Sequence, residues 1–177
     1  MYILPIIGIS NSGKTTAIKY TMKHLIELEE SQVVYVSFKK LHNNDDTYDK
    51  EELIKLIDYS IDKGVTSDRN IGCIVVKYKD KTIGLTSYGD SLDVIKKNFN
   101  DAILAANNKL DLFVCARHCN NDIYREFENF GMDVSIELTD HVCSRRTFED
   151  DKEAWLRDNE EKGRLIFEQI KSSLFAE

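Results

Sequence analysis

Residues 2–15 read Tyr2-Ile3-Leu4-Pro5-Ile6-Ile7-Gly8-Ile9-Ser10-Asn11-Ser12-Gly13-Lys14-Thr15, and this stretch decides the fold. It opens as a short continuous apolar run over residues 2–9, the pattern of a strand buried on both faces. It then becomes polar and is bounded by glycine. From residue 14 to residue 30, Ile18, Met22 and Leu25 recur at helical spacing. Residues 8–15 fit the pattern G-x-x-x-x-G-K-S/T between that strand and that helix. Glycine lets successive backbone N–H groups turn inward on an anion. The start of the helix adds positive partial charge. Gly8, Ser10, Asn11, Ser12, Gly13, Lys14, Thr15 and Thr16 are thus the candidates for holding a polyphosphate. Lys14 would reach its distal phosphates, and the Thr15 hydroxyl would ligate Mg²⁺.

Beyond the loop the pattern alternates. Residues 32–38 are β-branched and aromatic, so a strand. Residues 39–48 are polar and turn-rich. Residues 49–63 predict a helix opened by Asp49 with Glu52, lined by Leu53, Ile57 and Ile61, and closed by Gly64. Residues 71–78 and 81–87 are strand-like runs joined only by Lys79-Asp80, which dictates an antiparallel hairpin. A helix comes next over 91–107, then a buried strand over 110–116 and a short helix over 122–130. After these stands a strand with one wet face, carrying Val134, Ile136 and Leu138. Last is a charged helix over 150–174 with a break expected at Gly163. This alternation predicts an α/β fold, a three-layer αβα sandwich with a mainly parallel sheet and one antiparallel hairpin. No repeat or linker divides the chain, so residues 1–177 read as one domain, with 141–177 as a lid loop and a C-terminal helix.

Composition agrees. The chain has 177 residues, enough for a core that needs no disulfide or metal. Its hydrophobic share of 42% and charged share of 31% fit a globular protein rather than a disordered one. The net charge of −7 argues against a general nucleic-acid binder, because phosphate-backbone binding rests on Lys and Arg. The apolar start is far shorter than the ~20 residues of a spanning helix and has no basic region before it. Cys73, Cys115, Cys119 and Cys143 are read as reduced thiols, and the expected location is cytoplasmic, away from membranes.

In a sheet of this kind, ligands bind outside the carboxyl ends of the strands, which selects the loops after residues 9, 87 and 116. Asp90, in Ser87-Tyr88-Gly89-Asp90, is the candidate acidic partner of Thr15 for the metal. Asp90 or Ser91 must also cap the next helix. Asp111 begins its strand and so lies at the wrong end. Arg117 comes directly after the strand over 110–116, at the ligand edge, and is the candidate contact to phosphate or base. His118 reads as a surface residue. Cys115, His118, Cys119, His141 and Cys143 lack the spacing of a metal site. Arg145 and Arg146 follow the last expected strand, where they either balance Glu149, Asp150 and Asp151 or, by likeness to small kinases, serve as lid arginines, and Asp45 or Asp46 is the candidate base in the loop after the second strand.

With its strand, loop and helix in order, the chain resembles the P-loop NTPase superfamily. That resemblance implies ATP or GTP with Mg²⁺. The family's usual acidic residue directly at a strand end is missing here, so Lys14, Asp90 and Arg117 are the expected catalytic residues by their positions, with Arg145 and Arg146 as the alternative to Arg117. Residues 6–16 also look like the start of small nucleotide kinases and of the GTP-binding accessory protein of molybdenum cofactor biosynthesis. Asn108-Lys109-Leu110-Asp111 resembles the guanine-reading motif of GTPases, but it precedes a strand rather than following one. The leading expectation is a Mg²⁺-dependent nucleoside triphosphate-binding enzyme, an ATP-using phosphotransferase or NTPase with an unknown acceptor. Its rival is a nucleotide-gated switch or accessory module that acts through a protein partner with little turnover. A third reading has the loop bind nucleotide only for stability.

Overall fold

The computed structural model describes residues 1–7, 13–38, 49–63, 70–88, 91–117 and 151–175. In chain order these form β1 (Tyr2–Ile7), α1 (Lys14–Glu27), β2 (Gln32–Phe38), α2 (Lys50–Lys63), β3 (Ile71–Tyr78), β4 (Lys81–Thr86), α3 (Leu92–Ala105), β5 (Leu112–Arg117) and α4 (Lys152–Phe175). The fold is α/β: one five-stranded mixed sheet with four helices among the described residues. The elements expected over 122–130 and 134–138 lie outside them.

The strand order is β1-β5-β4-β3-β2. β1 with β5, and β5 with β4, are parallel; β4 with β3, and β3 with β2, are antiparallel. The sheet is therefore not mainly parallel, contrary to the expectation from alternation. The cause is the Lys79-Asp80 turn, with Lys79 at φ 53. It reverses β3 against β4, and β3 sits inside the sheet. One reversed interior strand makes two antiparallel pairings.

Alternating side chains of the strands feed two cores. Leu4, Ile6, Ile74, Leu85 and Val114 face α1, α2 and α4, packing on Ile18, Met22, Leu53, Ile57, Ile166 and Ile170. Ile3, Cys73, Val75, Phe113 and Cys115 face α3, packing on Ile95, Phe99 and Ala102. Each fully buried aliphatic side chain of this size contributes ~1.5–3 kcal/mol, which makes the sheet a rigid platform for the loops at its edge.

The helices on the first face are aligned by polar ties. α2 runs antiparallel to α1, with Lys50 Nζ on Leu28 O at 2.9 Å, Lys23 on Asp58 at 2.8 Å and Lys19 Nζ on Ser60 O at 3.1 Å. α4 runs parallel to α1, with Asn159 against Gly13, Gly163 against Ala17 and Tyr20, and Phe167 against His24. α4 is continuous through Gly163, where a break was expected. Glycine there removes the Cβ that would meet the Ala17 carbonyl, so it serves helix packing and does not end the helix. At the start of α2, Asp49 Oδ1 accepts from Glu51 N at 3.0 Å, the Asp49 half of the expected cap.

Candidate functional site

The carboxyl edge of the sheet gathers the ends of β1, β5 and β4. Ile7 pairs with Arg117, and Thr86 pairs with Cys115. Across this edge the Thr15 hydroxyl donates to Ser87 O at 2.9 Å. The three loops selected from sequence thus start side by side. Gly8, Ser10, Asn11 and Ser12 lie outside the described residues, as does Asp90.

The helix start after the loop is well defined. Gly13 has φ 85, in the left-handed region, and is the N-cap of α1 with no side-chain cap bond. An L side chain at that φ costs ~1–2 kcal/mol, so glycine is the natural choice. The first N–H groups of a helix have no partner within it. The first turn of α1 carries no acidic residue, yet its first position is Lys14, which is buried at 6% exposure. A cation at the positive end of a helix is unfavourable by ~0.3–1 kcal/mol, and an anion there is favourable by a similar amount. Thr16 is buried beside it.

Arg117 ends β5 at this edge. Asp90 has two candidate roles, metal residue and helix cap. The cap is supplied by Ser91, whose hydroxyl accepts from Val94 N at 3.3 Å. Asp90 itself lies outside the described residues.

A polar set behind the edge fixes residues 86–88. Asn98 Nδ2 donates to Thr86 Oγ1 at 2.7 Å, and Thr86 Oγ1 donates to Gly72 O at 3.1 Å. Ser87 Oγ donates to Ile71 O at 2.8 Å, and Ser87 N to Gly72 O at 2.9 Å. Tyr88 folds back so that its hydroxyl donates to Asn70 O at 3.3 Å, and its ring fills the space a Cβ at Gly72 would need. Thr86, Ser87 and Asn98 are all buried. Sequence reasoning missed this set. Its signal was Asn98 interrupting the stripe of Ile95, Phe99 and Ala102.

Two further residues were missed. Lys19 on α1 is 1% exposed, and its ammonium donates to Ser60 O. Burial pulls its pKa down to about 8. Asn159 on α4 is likewise 1% exposed, with Nδ2 donating to Trp155 O at 2.8 Å. Its Oδ1 is turned to Gly13, where it occupies the space a Cβ would need, and has no hydrogen-bond partner among the described residues. Both residues interrupt apolar helical stripes, a signal visible in sequence.

One other candidate falls away from this edge. Asp111 lies at the opposite one, where its Oδ2 accepts from Thr82 N at 2.8 Å and its carbonyl from Tyr2 N at 2.7 Å. Asn108 and Lys109 are there with it, so the guanine-motif likeness is far from the loop. An open cavity of about 540 Å³ at that edge is lined by Lys77, Asp80, Lys109 and Asp111 among others. Cys73 and Cys115 both pair with Thr86, one from each side. Two strand spacings of ~4.8 Å separate them, beyond the ~7 Å limit for a disulfide. Burial pushes the Cys73 thiol pKa well up. Cys119, Cys143, His118, His141, Arg145, Arg146, Asp45 and Asp46 lie outside the described residues. Among the described residues no group of three or more His, Cys, Asp or Glu is placed to hold a metal ion. None of the helices there is long and apolar enough to cross a membrane.

Comparison with known proteins gives no matching family model, no matching curated protein and no matching solved structure.

Proposed function

We propose that this chain is a P-loop protein that binds a nucleoside triphosphate with Mg²⁺ and acts as an ATP-using phosphotransferase or NTPase. The observation that carries the reading is the start of α1. A buried lysine occupies the first position of a helix that has no side-chain cap among the described residues and no acidic residue in its first turn, directly after a left-handed glycine. Such a helix end is built for an anion. The helices on both faces of the sheet support the finer reading of a three-layer sandwich of P-loop type.

The residues present fit the implied groups. The backbone from Gly13 and the Lys14 ammonium would hold phosphates. The Thr15 hydroxyl sends its proton to Ser87 O, which leaves its oxygen lone pairs for a cation. Bound Mg²⁺ would neutralise phosphate charge during transfer. Asp90, three residues after Ser87 in the chain, is the proposed second metal residue. Arg117, at the end of the strand paired with β1, is the proposed contact to the transferring phosphate or the base.

A nucleotide-gated switch acting on a protein partner is the second reading. It is favoured by the seating of α4 directly on Gly13, which gives the loop a route to another surface. Turnover separates the two. Phosphotransferase or NTPase activity predicts magnesium-dependent release or transfer of the γ-phosphoryl group, lost in Lys14→Ala. Tight binding of nucleotide without turnover, under any acceptor tried, favours the switch.

A further inference from the structure

We propose that the cavity at the edge opposite the phosphate loop is a second ligand site, and that it takes a small phosphate monoester. The proposal goes beyond the nucleotide reading and stands on its own residues.

The cavity has a volume of about 540 Å³, within the range of small-molecule sites. Its floor is the hairpin of β3 and β4. Lys77 pairs with Thr82 across that hairpin, two residues beyond the pair of Val75 with Gly84. Side chains alternate along a strand, so Lys77 and Thr82 stand on the α3 face with Val75. The wall is the connection from α3 to β5, with Asn107, Lys109 and Asp111.

Thr82 is the group that calls for an occupant. Its N–H donates to Asp111 Oδ2 at 2.8 Å, and its carbonyl accepts from Asp111 N at 2.9 Å, so its backbone is fixed. The residue is 6% exposed, yet its hydroxyl has no hydrogen-bond partner among the described residues. Hydroxyls at this burial are normally paired. One that lines a cavity and lacks a protein partner is kept for what fills the cavity.

The charges set the sign of that occupant. Two carboxylates line the cavity, and both are already answered. Asp80 pairs with Lys81 at 3.0 Å, and Asp111 accepts from Thr82 N. By contrast, the ammonium groups of Lys77 and Lys109 have no hydrogen-bond or ion-pair partner among the described residues. Lys79 is turned elsewhere, its ammonium 5.7 Å from the Tyr78 ring centroid and 5.9 Å from that of Phe175. A chain of net charge −7 thus brings two uncommitted ammoniums to one cavity. The C-terminal end of α3 would ordinarily oppose an anion. Here its carbonyls are taken, Ala102 O by Ala106 N at 2.9 Å, Ile103 O by Asn108 N at 2.9 Å and Leu104 O by Asn107 N at 3.0 Å. Asn107 and Asn108, at φ 51 and 61, form the left-handed turn that closes the helix in this way.

Two ammoniums match a dianion. Arginine forks suit planar carboxylates, whereas lysines act as point charges, and no arginine lines the cavity among the described residues. Donors on the floor and on the wall approach from different directions, which suits a tetrahedral phosphate. A phosphate monoester is a dianion above its second pKa of ~6, and the rest of the cavity has room for its organic part.

The experiment follows proton–nitrogen correlation NMR spectra of the full chain at about pH 8, where the ester is dianionic. The titrants are glycerol phosphate, succinate, and sodium chloride at matched ionic strength. Wild type is compared with the double variant Lys77→Gln with Lys109→Gln, with Thr82→Val and with Lys14→Ala. Glycerol phosphate should move the amides of Thr82, Asn107 and Lys109 along one saturable curve. Succinate should bind more weakly, and chloride should give no saturable change. The double lysine variant should bind about 10-fold or more weakly, and Thr82→Val about 3- to 10-fold more weakly. Lys14→Ala should respond at these amides as wild type does.

Wild type that shows no saturable change at these amides with glycerol phosphate overturns the proposal, even if the variants fail to fold. Succinate binding as tightly overturns the assignment to phosphate. A folded double lysine variant with wild-type affinity overturns the site. Loss of the response in folded Lys14→Ala would assign the anion to the phosphate loop and overturn the second site as well.

Discussion

Replacing Gly163 with alanine sets two effects of opposite sign against each other. Helix propensity alone favours alanine over glycine in mid-helix by ~1 kcal/mol. Packing opposes it. A Cβ at position 163 would collide with Tyr20 Cβ and stand 2.8 Å from the Ala17 carbonyl oxygen. Ordinary contact lies near ~3.5–4 Å, so α4 must back away from α1 by about 1 Å. No rotamer change relieves this, because the obstructing atoms are a backbone oxygen and a Cβ. The retreat strains the bond from Thr21 Oγ1 to Gly163 O. Overpacking of this kind costs ~1–3 kcal/mol, and weakening a buried hydrogen bond adds ~1 kcal/mol. After the gain in propensity, Gly163→Ala should be destabilising by ~1–3 kcal/mol. For a chain of this size the melting temperature falls by ~3–10 °C. Urea unfolding measures it as a lower midpoint at unchanged slope, with exposed Ser172→Ala as the reference. A midpoint that rises by the propensity difference would refute the account of how α4 seats on α1.

The buried polar groups give further expected outcomes. Lys19 titrates at about 8 in the folded chain, against ~10.4 when unfolded. Between those values the unfolded chain binds more protons, so this group makes stability rise as pH increases from about 8 towards ~10.4. Lys19→Met should remove that slope and stabilise the fold at pH 7 by ~1–3 kcal/mol. Urea midpoints of both proteins across pH 7–10 check it, and an unchanged slope contradicts it. Thr86→Val removes the acceptor of Asn98 Nδ2 at 2.7 Å and the donor to Gly72 O. A loss of ~1–3 kcal/mol is expected, read by thermal melting; a neutral result would mean that the set does not fix residues 86–88. On the proposed function, Thr86→Val should also weaken Mg²⁺-dependent nucleotide binding, whereas Asp111→Asn, at the opposite edge, should leave the affinity as it was. Both are read by calorimetry.

Much of the architecture was legible because the signals were local. The run before Gly8, the two-residue turn Lys79-Asp80 and the Ser91 cap each report on a few neighbouring residues. Hydrophobic period located α1, α2 and α3 for the same reason. The sheet was misread where the signal is global. Alternation of strand and helix favours parallel neighbours, but strand order decides the pairings, and no local pattern places β2 outside β3. Gly163 was misread as a break because propensity is visible in sequence and the approach of α1 is not. The candidate site divides in the same way. The start of α1 was readable from Gly13, Lys14 and Thr15. The contacts of Thr15 with Ser87, Asn98 with Thr86 and Asn159 with Gly13 join residues far apart in the chain. Only the odd polar residue on an apolar stripe hinted at the last two.

The central claim is that the loop before α1 holds a nucleoside triphosphate with Mg²⁺. Calorimetric titration of the purified chain with ATP and with GTP, with and without Mg²⁺, tests it most directly when run beside Lys14→Ala. The account predicts magnesium-dependent binding of one or both nucleotides to the wild type and its loss in a variant that is still folded. Folded wild type with no affinity for either nucleotide, or Lys14→Ala binding as tightly as wild type, would contradict it.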